Sequence, residues 1–250
     1  MKISQEQKLE TRQKLINTAA DLFVIQGFDN TSMKQIARDA GIGDATIYKY
    51  FPNKDKLIVG FYEVRAEAAL AEYHNTEDID EYGLRERIQL LVDTLLEQLI
   101  GDREFVELSM KQFIKSPLIL LRDELNAAKA YRQEFELILR HAEEQDGYPK
   151  IPLPEVLASL LTDFLFGIIL FWMKDDSENF SHTTQLVDLK SNLIDSLLKS
   201  GVVNNALEVI GFLFKTQLLR AANSDGLFRL LDSFKDFSFD RLKNETAGNH

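Results

Sequence analysis

The sequence predicts an all-α protein in which an N-terminal three-helix, helix-turn-helix domain precedes a larger helical body. Three observations carry this. Only five Pro and 12 Gly punctuate the 250 residues, and the Leu-, Ala-, Glu- and Lys-rich runs between them favour helix. Apolar residues recur at three- and four-residue spacings along those runs. Ala37, Gly41 and Ile47 have the spacing of two short helices that cross over a tight turn.

Each element has its own signal. Ser4 and Gln7 form a capping box for a first helix whose inward face is Leu15, Ile16, Ala19, Leu22 and Phe23, and Gly27 stops it. Ser32 and Gln35 form a second capping box, leading a short helix that turns Met33, Ile36 and Ala37 inward and ends at Gly41. A third helix runs over about 44–51, stopped by Pro52, because the residue before proline is pushed out of the helical region. Asn53 caps a fourth, through about Tyr73, with an apolar stripe of Leu57, Phe61, Val64 and Ala68. Helices follow over 84–100 and about 103–115, and Ser116 with Pro117 opens another through about Glu144. Three prolines mark 147–154 as a loop. A very apolar helix spans 154–174, a polar loop 175–184, and the next helix carries Leu186, Leu189, Leu193, Ile194, Leu197 and Leu198 on one face. A further helix is expected over about 204–222 and a short one beyond Gly226, with 244–250 a disordered tail. The expected domains are therefore 1–56, a helix-turn-helix unit, and 57–243, the body.

Composition bounds the function. The chain can bury roughly 70 to 75% of its unfolded surface, so it needs no covalent or metal staple. Hydrophobic residues are 45% and charged residues 28%, which excludes disordered and collagen-like classes. With no Cys, disulfides, zinc-thiolate sites and cysteine nucleophiles are ruled out. The net charge of -11 argues against indiscriminate coating of nucleic acid or anionic membrane. Yet residues 1–56 hold nine Lys and Arg against seven Asp and Glu, so the acidic excess lies wholly beyond them. Residues 1–20 show no secretory signal, and a cytoplasmic location is expected. The stretch 156–173 approaches bilayer length, but Asp163 near its centre would cost about 2.5–3.5 kcal/mol to insert. It reads as a helix of the core or of a subunit interface, with no membrane partner.

The segment 32–51 carries the chemistry. Small Ala37 lets two backbones approach, Gly41 tolerates a positive φ in the turn, and Ile47 anchors the second helix. With Ile47 inward, helical geometry turns Ala45 and Lys49 outward, flanked by Thr46 and Tyr48. Methyl, ammonium, hydroxyl and phenol groups on one face can enter a major groove and touch bases or phosphates. Taken singly, Tyr48, Tyr50 and Phe51 also fit a core, and Lys49, Lys54 and Lys56 a solvated face.

The run TSMKQIARDAGIGDATIYKYFPNKDKL at 31–57 resembles the DNA-binding signature of the tetracycline-repressor (TetR) family of bacterial regulators, and RQKLINTAADLFVIQGFDN at 12–30 resembles that family's first helix. The resemblance covers about residues 10–60. It implies a homodimeric transcriptional repressor that binds double-stranded DNA at an inverted-repeat operator, with a divergent ligand-binding and dimerisation body. It implies Asp44, Ala45 and Tyr48 at base-facing positions, Lys34 at the groove edge, and Ser32, Thr46, Tyr50 and Lys54 at phosphate-contacting positions. Lys54 also begins a helix, whose free amides and positive dipole end favour phosphate. Two departures stand out. Gly43 replaces the serine-like cap of many members, which removes an acceptor. Asp44 is acidic on a DNA-facing position, and capping, repelling phosphate and accepting from a cytosine amino group all stay open.

In the body, Phe105, Phe113, Tyr131, Phe135, Phe164, Phe166 and Trp172 are candidates to line a cavity for a small apolar effector, with Asp163, Asn126 and His141 as polar anchors. Ordinary core packing competes for each. The helices at 154–174 and 185–199 suit a four-helix dimer interface, against burial within one subunit. A two-fold dimer would set its recognition helices roughly 34–36 Å apart on DNA. A related DNA-binding architectural or division-linked factor without an effector is the alternative. An enzyme is not expected: Ala71, Ile138, Asn179 and Ala247 stand three residues before the four His, so the Glu-x-x-His of carboxylate metal sites is absent, as are H-E-x-x-H, a phosphate loop and G-x-S-x-G. His141 with Glu144 reads as a surface ion pair. No cofactor and no metal are expected.

Overall fold

The computed structural model describes residues 4–115, 126–145, 147–206, 208, 209 and 212. Contacts divide the chain into two units, Met1–Lys199 and Ser200–His250. In the second, residues 202–206, 208, 209 and 212 are helical. The start of the helix expected at Ser116, the helix expected beyond Gly226 and the tail 244–250 lie outside the described residues.

The first unit contains α1 (Gln5–Gln26), α2 (Met33–Asp39), α3 (Asp44–Tyr50), α4 (Lys54–His74), α5 (Leu84–Ile100), α6 (Arg103–Lys115), α7 (Asn126–Gln145), α8 (Pro154–Trp172) and α9 (Ser181–Lys199). Short 3-10 turns at Ile79–Glu81 and Glu178–Phe180 complete it. No strand occurs among the described residues, and the all-α class is the one found.

Several ends follow local rules. Ser4 Oγ accepts from Gln7 N and Gln7 Oε1 from Ser4 N, both at 3.1 Å, and Gly27 ends α1 at a φ of 86°. The second capping box is only half formed. Ser32 Oγ accepts from Gln35 N at 3.2 Å, but the Gln35 amide exchanges bonds of 2.9 and 3.1 Å with Gln26 of α1 instead of reaching back.

Tertiary contacts also move two ends of the body helices. Arg103 donates to the carbonyls of Trp172, Met173 and Asp175 at 3.1, 3.0 and 2.8 Å, which terminates α8 at Trp172 rather than residue 174. Helix α9 begins at Ser181, inside the expected polar loop, because the enclosed carboxylate of Asp175 accepts from the N–H and hydroxyl of Thr183 at 2.8 and 2.6 Å. Its leucines do not share one face. Thr183, Val187, Ser191 and Leu198 are buried, whereas Leu189, Leu193 and Leu197 are exposed. Arg85 and Gln89 of α5 hold Asp188, fixing the helix in that rotation.

Helix α4 is central, packing on α1, α5 and α7. Its buried surface is therefore wider than one stripe: Ile58, Tyr62, Ala66, Ala69 and Tyr73 join Leu57 and Phe61, while Val64 and Ala68 are half-buried. Phe61 meets Phe105 of α6 at 4.5 Å between ring centroids, and Phe105 meets Phe23 of α1 at 6.3 Å. Each such fully buried ring contributes about 1.5–3 kcal/mol, so this cluster joins the first helix firmly to the body.

Candidate nucleic-acid interface

The α2–turn–α3 segment is fixed from beneath. Thr31 Oγ1 donates to the Gly27 carbonyl at 2.8 Å and accepts from the Gln26 amide at 3.1 Å. Ile36, Ala37 and Ile47 are fully buried. Gly41 takes a φ of 67°, which lets Ile42 N reach the Ala37 carbonyl at 2.8 Å and turns the chain into α3. Gly43 caps α3 without a side-chain bond. Its carbonyl instead accepts from Thr46 N at 2.7 Å. Phe51 is extended, with φ -137° and ψ 114°, as the residue before Pro52 must be. Asn53 Oδ1 then accepts from Lys56 N at 3.0 Å to open α4.

This frame turns the expected contact residues outward together. Ser32, Lys34, Asp44, Ala45, Tyr48 and Lys49 are exposed, and Thr46, Tyr50 and Lys54 are half-buried. Tyr48 is 49% exposed one residue from fully buried Ile47; a phenol placed so is available to a groove rather than to the core. Lys54 is already engaged: its Nζ donates to the Phe28 carbonyl and lies 4.3 Å from the centre of the Phe28 ring. An ammonium has three donors, so it keeps protons for a phosphate.

A web of polar contacts ties this unit to the body. Glu63 of α4 accepts from Arg12 of α1 at 2.6 Å and from Asn126, the first residue of α7, at 2.7 Å. Arg65 pairs with Asp102 just before α6.

Beside α4, a cavity of about 100 Å³ lies among α4, α5, α6, α7 and α8. Phe113, Tyr131 and Phe166 line it as expected, with Tyr62, Leu95 and Thr162 among the residues the sequence did not single out. Phe105, Phe135, Phe164 and Trp172 do not line it. Phe105 belongs to the aromatic cluster above, and Trp172 packs on Phe180 at 5.9 Å beneath Arg103. Phe135 is fully buried elsewhere on α7, and Phe164 is turned off the face of α8 that carries Leu165 and Ile169. The polar anchors are also elsewhere. Asn126 serves Glu63, His141 Nε2 sits 2.9 Å from Arg87, and Asp163 is exposed. Small Ala66, Ala127 and Ala128 leave the space open, a signal that sequence does not separate from helix propensity. Burial pushes the phenols of Tyr62 and Tyr131 well above their ordinary pKa, so both stay protonated. Among the described residues no group of three His, Asp or Glu could hold a metal.

Helix α8 is long and apolar enough to cross a membrane by length and composition. It packs on α7 and α9, burying Ala158, Leu161, Leu165, Ile168, Ile169 and Trp172.

A short helix seated on Ile47 over a glycine turn, with phenol, ammonium and hydroxyl groups on its open face, defines a helix-turn-helix DNA-binding protein. The family description "Bacterial regulatory proteins, tetR family" matches residues 15–60, and "Tetracyclin repressor-like, C-terminal domain" matches 87–213. The chain belongs to the TetR family and is a DNA-binding transcriptional regulator. Regulators of this family act as dimers. The fatty acid metabolism regulator protein of Bacillus subtilis (strain 168) is 26% identical over 204 residues, covering 80% of this chain and 99% of that protein. The structure of the fatty acid degradation regulator FadR from Bacillus halodurans shares the fold with a TM-score of 0.56 at 20% identity, over 76% of this chain and 95% of that one. Salmonella enterica GusR does so with a TM-score of 0.58 at 19% identity, over 80% and 100%.

Proposed function

We propose that this chain is a homodimeric repressor that reads an inverted-repeat operator through α3 and is released by a small, largely apolar ligand. The carrying observation is the face of α3, where Tyr48 stands exposed beside buried Ile47. On this reading residues 1–56 are the DNA-binding domain and the body begins at 57. Asp44, Ala45 and Tyr48 face bases with Lys34 at the groove edge, Ser32, Thr46, Tyr50 and Lys54 serve phosphates, and Lys49 shares the open face of α3.

Dimerisation is supported by α8 and α9, which expose Val156, Leu160 and Phe171 and Leu189 and Leu193 respectively. Apolar side chains in such number on two adjacent helices mark an interaction surface. Release is supported by the cavity beside α4, since Tyr62 and Ala66 of α4 and Ala127, Ala128 and Tyr131 of α7 line it. A ligand that parts α4 from α7 acts on Glu63, which holds both Arg12 and Asn126. A coupling of about 1–3 kcal/mol changes operator affinity roughly 5- to 150-fold, and DNA must weaken ligand binding equally. The name of the Bacillus subtilis relative, a regulator of fatty acid metabolism, agrees with an apolar effector.

Selection of bound duplexes from random DNA tests the reading. Two inverted half-sites about 10–10.5 base pairs apart, or a multiple of that, are expected. Recovery of no preferred sequence, or of a single unrepeated site, would sink it.

A further inference from the structure

Among its described lining residues, the cavity beside α4 holds one uncommitted proton. Of the described lining residues, three carry a hydroxyl: Tyr62, Tyr131 and Thr162. Thr162 Oγ1 donates to the Ala158 carbonyl at 2.8 Å. Tyr62 and Ser109 stand 2.6 Å apart, and Ser109 gives its single proton to the Val106 carbonyl at 2.9 Å, so Tyr62 is the donor between them. Tyr131 differs. It is 2% exposed, and its enclosed hydroxyl has no hydrogen-bond partner. Buried polar groups in folded proteins are nearly always paired, so an orphan on a cavity wall points to a missing partner.

The walls restrict that partner further. Among the described residues none that lines the cavity is Lys, Arg, His, Asp or Glu. A carboxylate, phosphate or ammonium entering it would lose its hydration with no counter-charge from the described walls in return. Glu134, one turn along α7 from Tyr131, is itself paired with His74 at 3.0 Å. Size favours a compact molecule: the space is about 100 Å³ and stands open on one side, so a single ring can enter with part of its surface outside the walls.

We infer that the cavity takes a neutral, compact, largely apolar molecule with one hydrogen-bond acceptor, a ketone, aldehyde, ester or alcohol oxygen, which receives the proton of Tyr131. The inference rests on the reading of this cavity as the effector site and deepens it by naming the ligand's chemistry. An alcohol has a second option, because the lone pairs of Tyr62 or Thr162 can accept its own proton.

A matched ring series tests this: cyclohexanone, cyclohexane and cyclohexanecarboxylate, titrated by ligand-observed NMR near pH 7 into the full chain and into Tyr131→Phe. Operator occupancy is followed in parallel by gel shift, and melting curves check that the variant folds. Cyclohexanone is expected to bind the natural chain about fivefold more tightly than the variant, the worth of one neutral hydrogen bond. Cyclohexane should bind both alike, and the carboxylate about tenfold more weakly than the ketone. Equal cyclohexanone affinities in the two proteins, no cyclohexanone binding, or a carboxylate that binds as well as the ketone each overturns the inference. Cyclohexanone that binds through Tyr131 yet leaves the operator occupied upholds the site and defeats release by this ligand. An unrelated molecule that frees the operator equally from both proteins leaves release standing and removes Tyr131 from it.

Discussion

Gly60 of α4 faces the ring of Phe51 so closely that a Cβ placed on it would lie 2.8 Å from Phe51 Cε1. Phe51 is 3% exposed and its backbone is held extended ahead of Pro52, so the ring has little room to swing away. The Arg12 guanidinium lies 5.8 Å from the centre of the same ring. The junction between α3 and α4 is thus set by a close approach that only a residue without a Cβ permits.

Gly60→Ala weighs that approach against helix propensity. Alanine gains up to about 1 kcal/mol inside a helix, and overpacking a filled site costs about 1–3 kcal/mol. A net loss of stability is expected, together with weaker operator binding as Phe51 and the end of α3 are displaced. Denaturant melts and gel shifts read both. A variant more stable than the natural chain, with unchanged DNA affinity, would show that Phe51 yields freely.

Lys54 and Tyr48 should fail differently. Lys54→Ala is expected to weaken binding to every sequence alike and to lower the salt slope by about 1. It should also cost some stability, since the ammonium now bonds the Phe28 carbonyl and covers its ring. Tyr48→Ala, at an exposed position, should leave stability within about 0.5 kcal/mol while changing base preference at one or two positions by roughly 1–3 kcal/mol. Gel shifts at several salt concentrations, on the selected operator and its point variants, separate the two. If neither variant alters binding, α3 is not the reading helix.

Leu160 and Leu193 are 57% and 51% exposed, so changing both to Glu removes no core contact. The double variant is expected to stay folded and become monomeric, and to lose most operator affinity because one half-site no longer anchors the other. Light scattering alongside circular dichroism checks this. A natural chain that is monomeric at micromolar concentration would refute the dimer.

How much of this was legible depends on the range of the interactions involved. The stop at Gly27 and the turn at Gly41 follow from signals within a few residues, and so does the outward face of α3 with Ile47 placed inward. Gln35 leaves the capping box because its partner Gln26 lies on another helix. The same limit applied at Trp172, where Arg103 from α6 ends the helix, and on α9, where Asp188 bonds to α5 fixed the rotation. Aromatic content located the cavity only in part. Its space comes from Ala66, Ala127 and Ala128, and a gap left by small residues has no periodicity to read.

Asp175 carries the pH dependence. Burial by itself would raise its pKa, but the bonds it accepts from the side chains and backbone of Ser177 and Thr183 outweigh that and hold it far below the ordinary carboxylate range. The folded-state pKa is therefore depressed below the unfolded one. The resulting stabilisation is fully present above the unfolded value of about 3.9 and is lost as pH falls from there through the folded value. Asp175→Asn removes it and also turns an amide N–H₂ toward donors that a carboxylate had satisfied, so the start of α9 should loosen and the melting temperature fall at neutral pH. That deficit should stay constant down to about pH 4 and shrink below it, as the natural chain loses its own advantage. Repeating the series in His182→Gln controls for the imidazole, whose Nδ1 is 3.8 Å from Asp175 Oδ1. Melting temperatures by circular dichroism from neutral to strongly acidic pH decide the matter, and a deficit that does not change with pH would mean that Asp175 acts as a packing group rather than as a charge.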